Sequence, residues 1–262
     1  MKAKLSFLLF WVVLLLTGCG ARQSAAAPQD LTVFAASSLT DAFTELAGAF
    51  EAANPGVQVV LNFASSSQLA AQLREGVAAD VYASANPTQM QDVINAGRIK
   101  AGTEVPFVSN RLTTVVPADN PAGITALEDL TRPGVKLILA VDGVPVREYT
   151  DEIVAAMAAD FQAAFYSNLV SEEDNVRQVS AKIALGEADA GIVYTTDVTP
   201  DIANQVQQIA IPDAQNVIAT YPIAPIADAP QPALAQHFID FILSQEGQSI
   251  LARWGFGPPA GN

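Results

Sequence analysis

The segment Leu31–Phe43, LTVFAASSLTDAF, decides how the rest of the chain reads. Leu31–Ala36 is a short apolar run, predicted as a strand, that ends at a serine pair. Behind it, Leu39, Phe43, Leu46 and Phe50 recur at helical spacing and predict a helix over Ser38–Ala53. Asn54-Pro55-Gly56 stops that helix. The order returns in Val57–Leu73, VQVVLNFASSSQLAAQL: strand, serines, helix. Ser38 stands three residues before Asp41, and Ser65 three before Gln68. Both spacings fit a capping box, in which the hydroxyl and the third residue satisfy free N–H groups. At a single junction a cap accounts for the serine. Ser37-Ser38 and Ser65-Ser66-Ser67 hold more hydroxyls than caps require, and a helix start also offers unpaired N–H groups and the positive end of its dipole. Two such junctions facing each other make a site for a small anion without lysine or arginine.

Strand-like and helix-like runs go on alternating. Val81–Ala85 is predicted as a strand, Pro87–Ala96 as a helix closed by Gly97, and Leu112–Pro117 as a strand. A short helix near Ala126–Leu130, a strand at Lys136–Val141 and helices at Pro145–Ala159, Phe161–Leu169 and Asn175–Leu185 follow. Strands at Ala190–Tyr194 and Val206–Ile211 come next, and two helices, Pro232–Leu243 and Glu246–Trp254, end the chain. This βαβ rhythm predicts an α/β fold of mainly parallel sheet flanked by helices. The rhythm changes near Val105–Asn110, which suggests two α/β lobes, 30–108 with 219–262 and 109–218, and a cleft between them. Ligands of open α/β sheets bind beyond the carboxyl ends of strands, where both serine clusters lie. Asp142-Gly143-Val144-Pro145 opens a third helix at a strand end, since proline suits a first helical turn. Ser171-Glu172-Glu173-Asp174 precedes a fourth at Asn175. Tyr194 ends the apolar strand AGIVY, where its hydroxyl serves either a ligand or ordinary core packing.

The N-terminus has the form of an export signal. Lys2 and Lys4 precede an apolar run, Leu5–Leu16, too short to cross about 30 Å of hydrocarbon. Leu16-Thr17-Gly18-Cys19 then reads as a lipobox: residues 1–18 would be removed and Cys19 lipidated, with 19–29 as a flexible tether. Cys19 is the only cysteine, so no internal disulfide forms. The 262 residues are half hydrophobic and only 15% charged, as in a well-packed globular protein. The net charge of -14, or -16 once Lys2 and Lys4 leave, excludes nucleic acid and basic-patch membrane binding. An anionic ligand must therefore be held by local donors against the global field.

Catalytic patterns are missing. His237, the only histidine, sits in a terminal helix. No Gly-x-Ser-x-Gly elbow, zinc ligand set or phosphate-loop motif occurs, so neither a catalytic residue nor a cofactor is expected.

VFAASSLTDAF, FASSSQLAAQL, DVYASAN, GVPVREYTDEI, EDNVRQV and GIVYTTD, with LSQEGQSILARWGF at the end, occur in the order seen in the molybdate-binding proteins of ABC importers. The chain resembles that family from Leu31 to Phe256. The resemblance implies a two-lobe type II periplasmic binding protein, and not an enzyme. It would close over one molybdate or tungstate and deliver it to a permease driven by a cytoplasmic ATPase. It would sit outside the cytoplasmic membrane as a monomer, touching the membrane only through its lipid. The implied oxyanion ligands are the hydroxyl and backbone N–H of Ser38 and Ser66, the N–H of Val146 and Val176, and the hydroxyl of Tyr194. No residue would ligate the metal directly. Where the family usually has glycine after the GVP motif's next residue, this chain has Arg147; a side chain pointing away would leave the Val146 donor intact. Neutral donors suit a fully deprotonated dianion, and molybdate and tungstate share size and charge. Three other readings stay open here: a receptor for sulfate or phosphonate, an extracytoplasmic hydrolase, and a scaffolding lipoprotein whose serines are caps.

Overall fold

The computed structural model describes residues 29–259. The signal segment, Cys19 and all of the tether except Gln29 lie outside the described residues. β1 (Gln29–Ala36) leads through one 3-10 turn, Ser37–Leu39, into α1 (Thr40–Ala53). β2 (Val57–Ala64), α2 (Ser66–Arg74), β3 (Val81–Ala83) and α3 (Pro87–Asn95) complete the first half. The long β4 (Val105–Pro117) leads on to β5 (Leu137–Ala140), α4 (Pro145–Ala155), α5 (Ala159–Ser167), β6 (Leu169–Glu173), α6 (Val176–Ala184), β7 (Ala190–Tyr194) and β8 (Val206–Ala210). β9 (Ile218–Pro225) returns, and α7 (Pro232–Leu243) and α8 (Gln245–Arg253) close the chain.

The strand order is β2-β1-β3-β9-β4-β7-β5-β6, with β8 also paired to β4. β1 runs parallel to β2 and β3, and β5 parallel to β6 and β7. The middle is antiparallel, because β4 leaves the first half and β9 comes back to it. β4 pairs with β9 from Val105 to Arg111 and with β7 from Leu112 to Val115, so it changes partners in mid-strand. One strand thus ties the two halves of the sheet together.

The predicted stripe of α1 is fully buried: Leu39, Phe43, Leu46 and Phe50 expose nothing. Its rings meet Phe107 and Phe238 edge-on, Phe43–Phe107 at 5.9 Å and Phe50–Phe238 at 5.1 Å. Such pairs add about 0.5–1.5 kcal/mol each beyond area burial. The contact seats α1 and α7 on the first half. In the second half, α6 lies close over β7 because Gly191 has no side chain; a Cβ there would stand 2.7 Å from Val179 Cγ1. That fit sets the height at which the start of α6 reaches the cleft.

Several elements differ from expectation. The 3-10 turn takes the first residues of the expected Ser38 helix. β4 begins at Val105, because Val105–Asn110 carries a proline and a register shift that break the alternation. β9 was not expected; Pro222 and Pro225 hide it, yet Pro222 sits opposite Pro106, so no ladder N–H is lost between them. β6 is a polar edge strand where only a helix start was expected, and Glu173 is held there by Lys182 at 2.6 Å and Ser171 at 2.7 Å. α4 ends at Ala155, before the expected Ala159, since Ala-Met-Ala offers no glycine or proline as a stop signal.

Candidate oxyanion site

The carboxyl ends of β1, β2, β5, β6 and β7 point at one place, and helix starts follow most of them. Here the chain encloses a small cavity. The first half lines it with Ser37, Ser38, Ser65 and Ser66, and the second with Val144, Pro145, Val146, Val176 and Tyr194. Ala36 and Ala85 fill the gaps. All five residues expected as ligands thus meet on one wall-to-wall surface, and all five are buried. The cavity's volume is about 10 Å³ for the centre of a water-sized body, room for about one water molecule. No lysine or arginine lines it.

Each donor has a local origin. Ser65 caps α2 as expected: its Oγ accepts from Gln68 N at 3.4 Å, while its own N–H donates to Gln68 Oε1 at 3.3 Å. That leaves Ser66 free of capping duty. Its Oγ accepts from the Ala85 N–H at 2.9 Å, so the hydroxyl proton is available to the cavity. Ser38 does not cap, contrary to the Ser38–Asp41 spacing. Its turn is 3-10, Asp41 is drawn off to Arg177, and Ser38 Oγ pairs instead with Tyr221 Oη at 3.0 Å. Gly143 adopts a left-handed φ of 79°, which lets β5 turn into α4 at Pro145 within four residues. Val146 and Val176 are the second and first residues of α4 and α6, where N–H groups have no intrahelical acceptor. Asn175 caps α6 through Arg177 N and Gln178 N and leaves the Val176 N–H alone.

Tyr194 is completely enclosed, and its hydroxyl has no hydrogen-bond partner. Burial pushes its phenol well above the ordinary range, and the neighbouring Tyr221, Tyr149 and Asp197 add to this. The group therefore stays a neutral donor. An unpaired buried hydroxyl costs about 1–3 kcal/mol, which a guest oxygen would relieve.

Arg147 points away from the cavity. Its guanidinium holds Asp151 at 2.8 Å and Glu172 at 2.6 Å and lies over the Tyr166 ring. This cation is thus neutralised by carboxylates on the outer face of α4 and does not line the cavity. His237 is exposed and packs against Phe50, 5.1 Å between rings, and is not on the cavity wall.

The halves also grip each other around the cavity. Arg177 of α6 reaches Asp41 of α1 at 2.7 Å and Asp197 at 2.8 Å. The second contact is an ion pair lying off the N–H axis, so neither atom gains a well-aligned hydrogen bond from it. Burial raises the Asp197 carboxyl to about 6 despite the opposing pull of Arg177. Glu148 of α4 accepts from Asn86 Nδ2 at 2.6 Å and Gln89 Nε2 at 3.4 Å, and partial burial raises its pKa against those bonds. None of these partners was expected; each joins residues remote in sequence. A wider groove of about 580 Å³ lies by Glu45, Thr196 and Trp254, but its carboxylate is already taken by Arg253 and Trp254. Among the described residues no helix is long and apolar enough to cross a membrane, and no acidic, histidine or cysteine cluster could hold a metal ion.

Two α/β halves, joined by a strand that changes partners and closed over a donor-lined cleft, define a type II periplasmic binding protein. Residues 31–257 match the family model described as bacterial extracellular solute-binding protein. The molybdate-binding protein ModA of Mycobacterium tuberculosis is 39% identical over 251 residues, 93% of each chain. Among solved structures, the Azotobacter vinelandii periplasmic molybdate-binding protein superposes with a TM-score of 0.75 at 19% identity, covering 88% of this chain and 100% of that one. The M. tuberculosis sulfate-binding protein SubI reaches 0.77 at 22% identity, covering 88% and 87%. The fold alone therefore does not choose between anions. The chain belongs to the bacterial extracellular solute-binding proteins, in the family of the molybdate-binding proteins of ABC importers; these are binding proteins rather than enzymes.

Proposed function

We propose that this protein captures molybdate, or tungstate, in the cleft and hands it to an ABC permease. The lobes are 30–108 with 219–262 and 109–218, and their closure is the signal the permease reads. Cys19 carries the lipid that keeps the protein, as a monomer, at the outer face of its membrane. The oxyanion is held by the hydroxyls of Ser38, Ser66 and Tyr194 and by backbone N–H groups of Ser38, Ser66, Val146 and Val176. The observation that carries this reading is the convergence of unclaimed donors from both halves on one cavity without a cation, with the unpaired Tyr194 hydroxyl among them. The starts of α2, α4 and α6 add the positive ends of three helix dipoles. The 39% identity to a molybdate-binding protein favours molybdate over sulfate. Sulfate is also fully deprotonated but smaller, and would leave some donors stretched.

Isothermal titration of the purified protein checks the proposal. Molybdate and tungstate are expected to bind at one site per chain, with sulfate far weaker. Heat from sulfate and none from molybdate would overturn it.

A further inference from the structure

We infer that Tyr221 and Asn110 are positioning residues that hold the Ser38 hydroxyl as a pure donor, and so set the site's preference for oxyanions that carry no proton. This rests on the oxyanion reading above and concerns how that same cage chooses among anions.

The directions follow from an atom with only one possible role. The Arg111 backbone N–H lies 2.9 Å from the Asn110 side chain and can only donate, which makes that atom Oδ1. Thr195 Oγ1 donates to the same oxygen at 3.1 Å. The other end of the amide is then the NH2 group, which has no acceptor capacity. It donates to Thr196 Oγ1 at 2.8 Å and, at the long limit of 3.5 Å, to Tyr221 Oη. Tyr221 is fully buried, and its oxygen receives from Asn110. Of its two hydrogen-bond partners, only Ser38 Oγ, at 3.0 Å, can accept its single proton, since the Asn110 NH2 group cannot. Ser38, in turn, has only the cavity left for its own proton. Ser66 reaches the same state by another route, because the Ala85 N–H occupies its Oγ at 2.9 Å.

Both expected serine ligands, Ser38 and Ser66, are thus backed by a donor. Behind Ser66 the donor is backbone and cannot be removed; behind Ser38 it is a side chain and can. A guest that keeps a proton, such as hydrogen phosphate, needs an acceptor in the cage. While Tyr221 donates to Ser38, the serine proton is aimed at the cavity, and turning to accept from a guest would leave that proton unpaired. Without the Tyr221 hydroxyl, Ser38 rotates freely, gives weaker hydrogen bonds to a bare dianion and accepts from a protonated one.

The test titrates wild type, Tyr221→Phe, Ser38→Ala and the double variant with molybdate and with inorganic phosphate, and melts each ligand-free protein. Tyr221→Phe is expected to melt near wild type and to bind molybdate about tenfold more weakly. Its preference for molybdate over phosphate falls further than its molybdate affinity does. In the Ser38→Ala background, Tyr221→Phe changes neither anion's affinity further. An unchanged preference, or an equal loss in the Ser38→Ala background, overturns the inference, since packing alone would then explain the residue. Should Tyr221→Phe fail to fold, Asn110→Ala keeps the Tyr221 ring and carries the same expectation, and an unchanged preference there is equally decisive. Wild type that ignores molybdate would instead overturn the reading of the site itself.

Discussion

Val176→Pro is expected to weaken molybdate binding by at least about a hundredfold, while the ligand-free protein melts within a few degrees of wild type. Val176 is the first residue of α6, the one helical position that proline favours. The preceding Asn175 is extended, with φ -158° and ψ 167°, the conformation that a following proline demands. The cap from Asn175 to Arg177 N and Gln178 N is untouched. What disappears is one N–H at the cavity. A hydrogen bond to a charged group is worth about 1.5–3 kcal/mol, and the proline ring also intrudes where that hydrogen stood. Titration and thermal melting measure the two effects separately. Unaltered affinity would remove Val176 from the ligand set.

Arg177→Met should cost about 3 kcal/mol of stability near pH 7.5. Arg177 is the counter-ion of Asp197, which exposes nothing to solvent. Removing it strands a buried carboxylate, the situation that makes breaking a buried pair expensive. The pH dependence has a definite sign. Burial raises Asp197 from 3.8 to about 6 in the folded protein, so the native state binds this proton more tightly than the unfolded chain does. The contribution of Asp197 to stability accordingly falls as pH rises from about 4 to 6. Near pH 5 the carboxyl is largely protonated and needs Arg177 less, so the loss on Arg177→Met shrinks there. Denaturant unfolding of both proteins at the two pH values measures this. A loss that is equal at both, or larger at the lower pH, would contradict the pairing. Arg177 also loses its partly buried contact with Asp41 in this variant.

What could be read from the chain was local. Ser65 as the α2 cap follows from strand–serine–helix order, because a cap uses residues three apart; its neighbour Ser66 was singled out only by resemblance. The apolar stripe of α1 follows from periodicity, and all four of its residues are core. Val146 and Val176 left no such trace: a backbone N–H donor has no side-chain signature, and only resemblance singled them out. Spacing misassigned Ser38, since Ser-x-x-Asp is compatible with a cap, whereas the partners that claim Ser38 and Asp41 are Tyr221 and Arg177, far along the chain. Tyr221 was out of reach for a further reason. It lies in β9, whose prolines disguise a strand; Pro222 fits there opposite Pro106. Long-range pairing decides both the closure and the proton directions, and pairing of that kind is not written in any one segment.

A crystal grown with molybdate, with the metal located by its anomalous scattering, tests the central claim most directly. One molybdenum peak is expected, between the starts of α2, α4 and α6. Its oxygens should lie within hydrogen-bonding distance of Ser38, Ser66, Val146, Val176 and Tyr194, with Arg147 still turned toward Asp151 and Glu172. A peak in the groove beside Glu45 and Trp254, or a molybdate held by Arg147 or another cation in place of those donors, would contradict it.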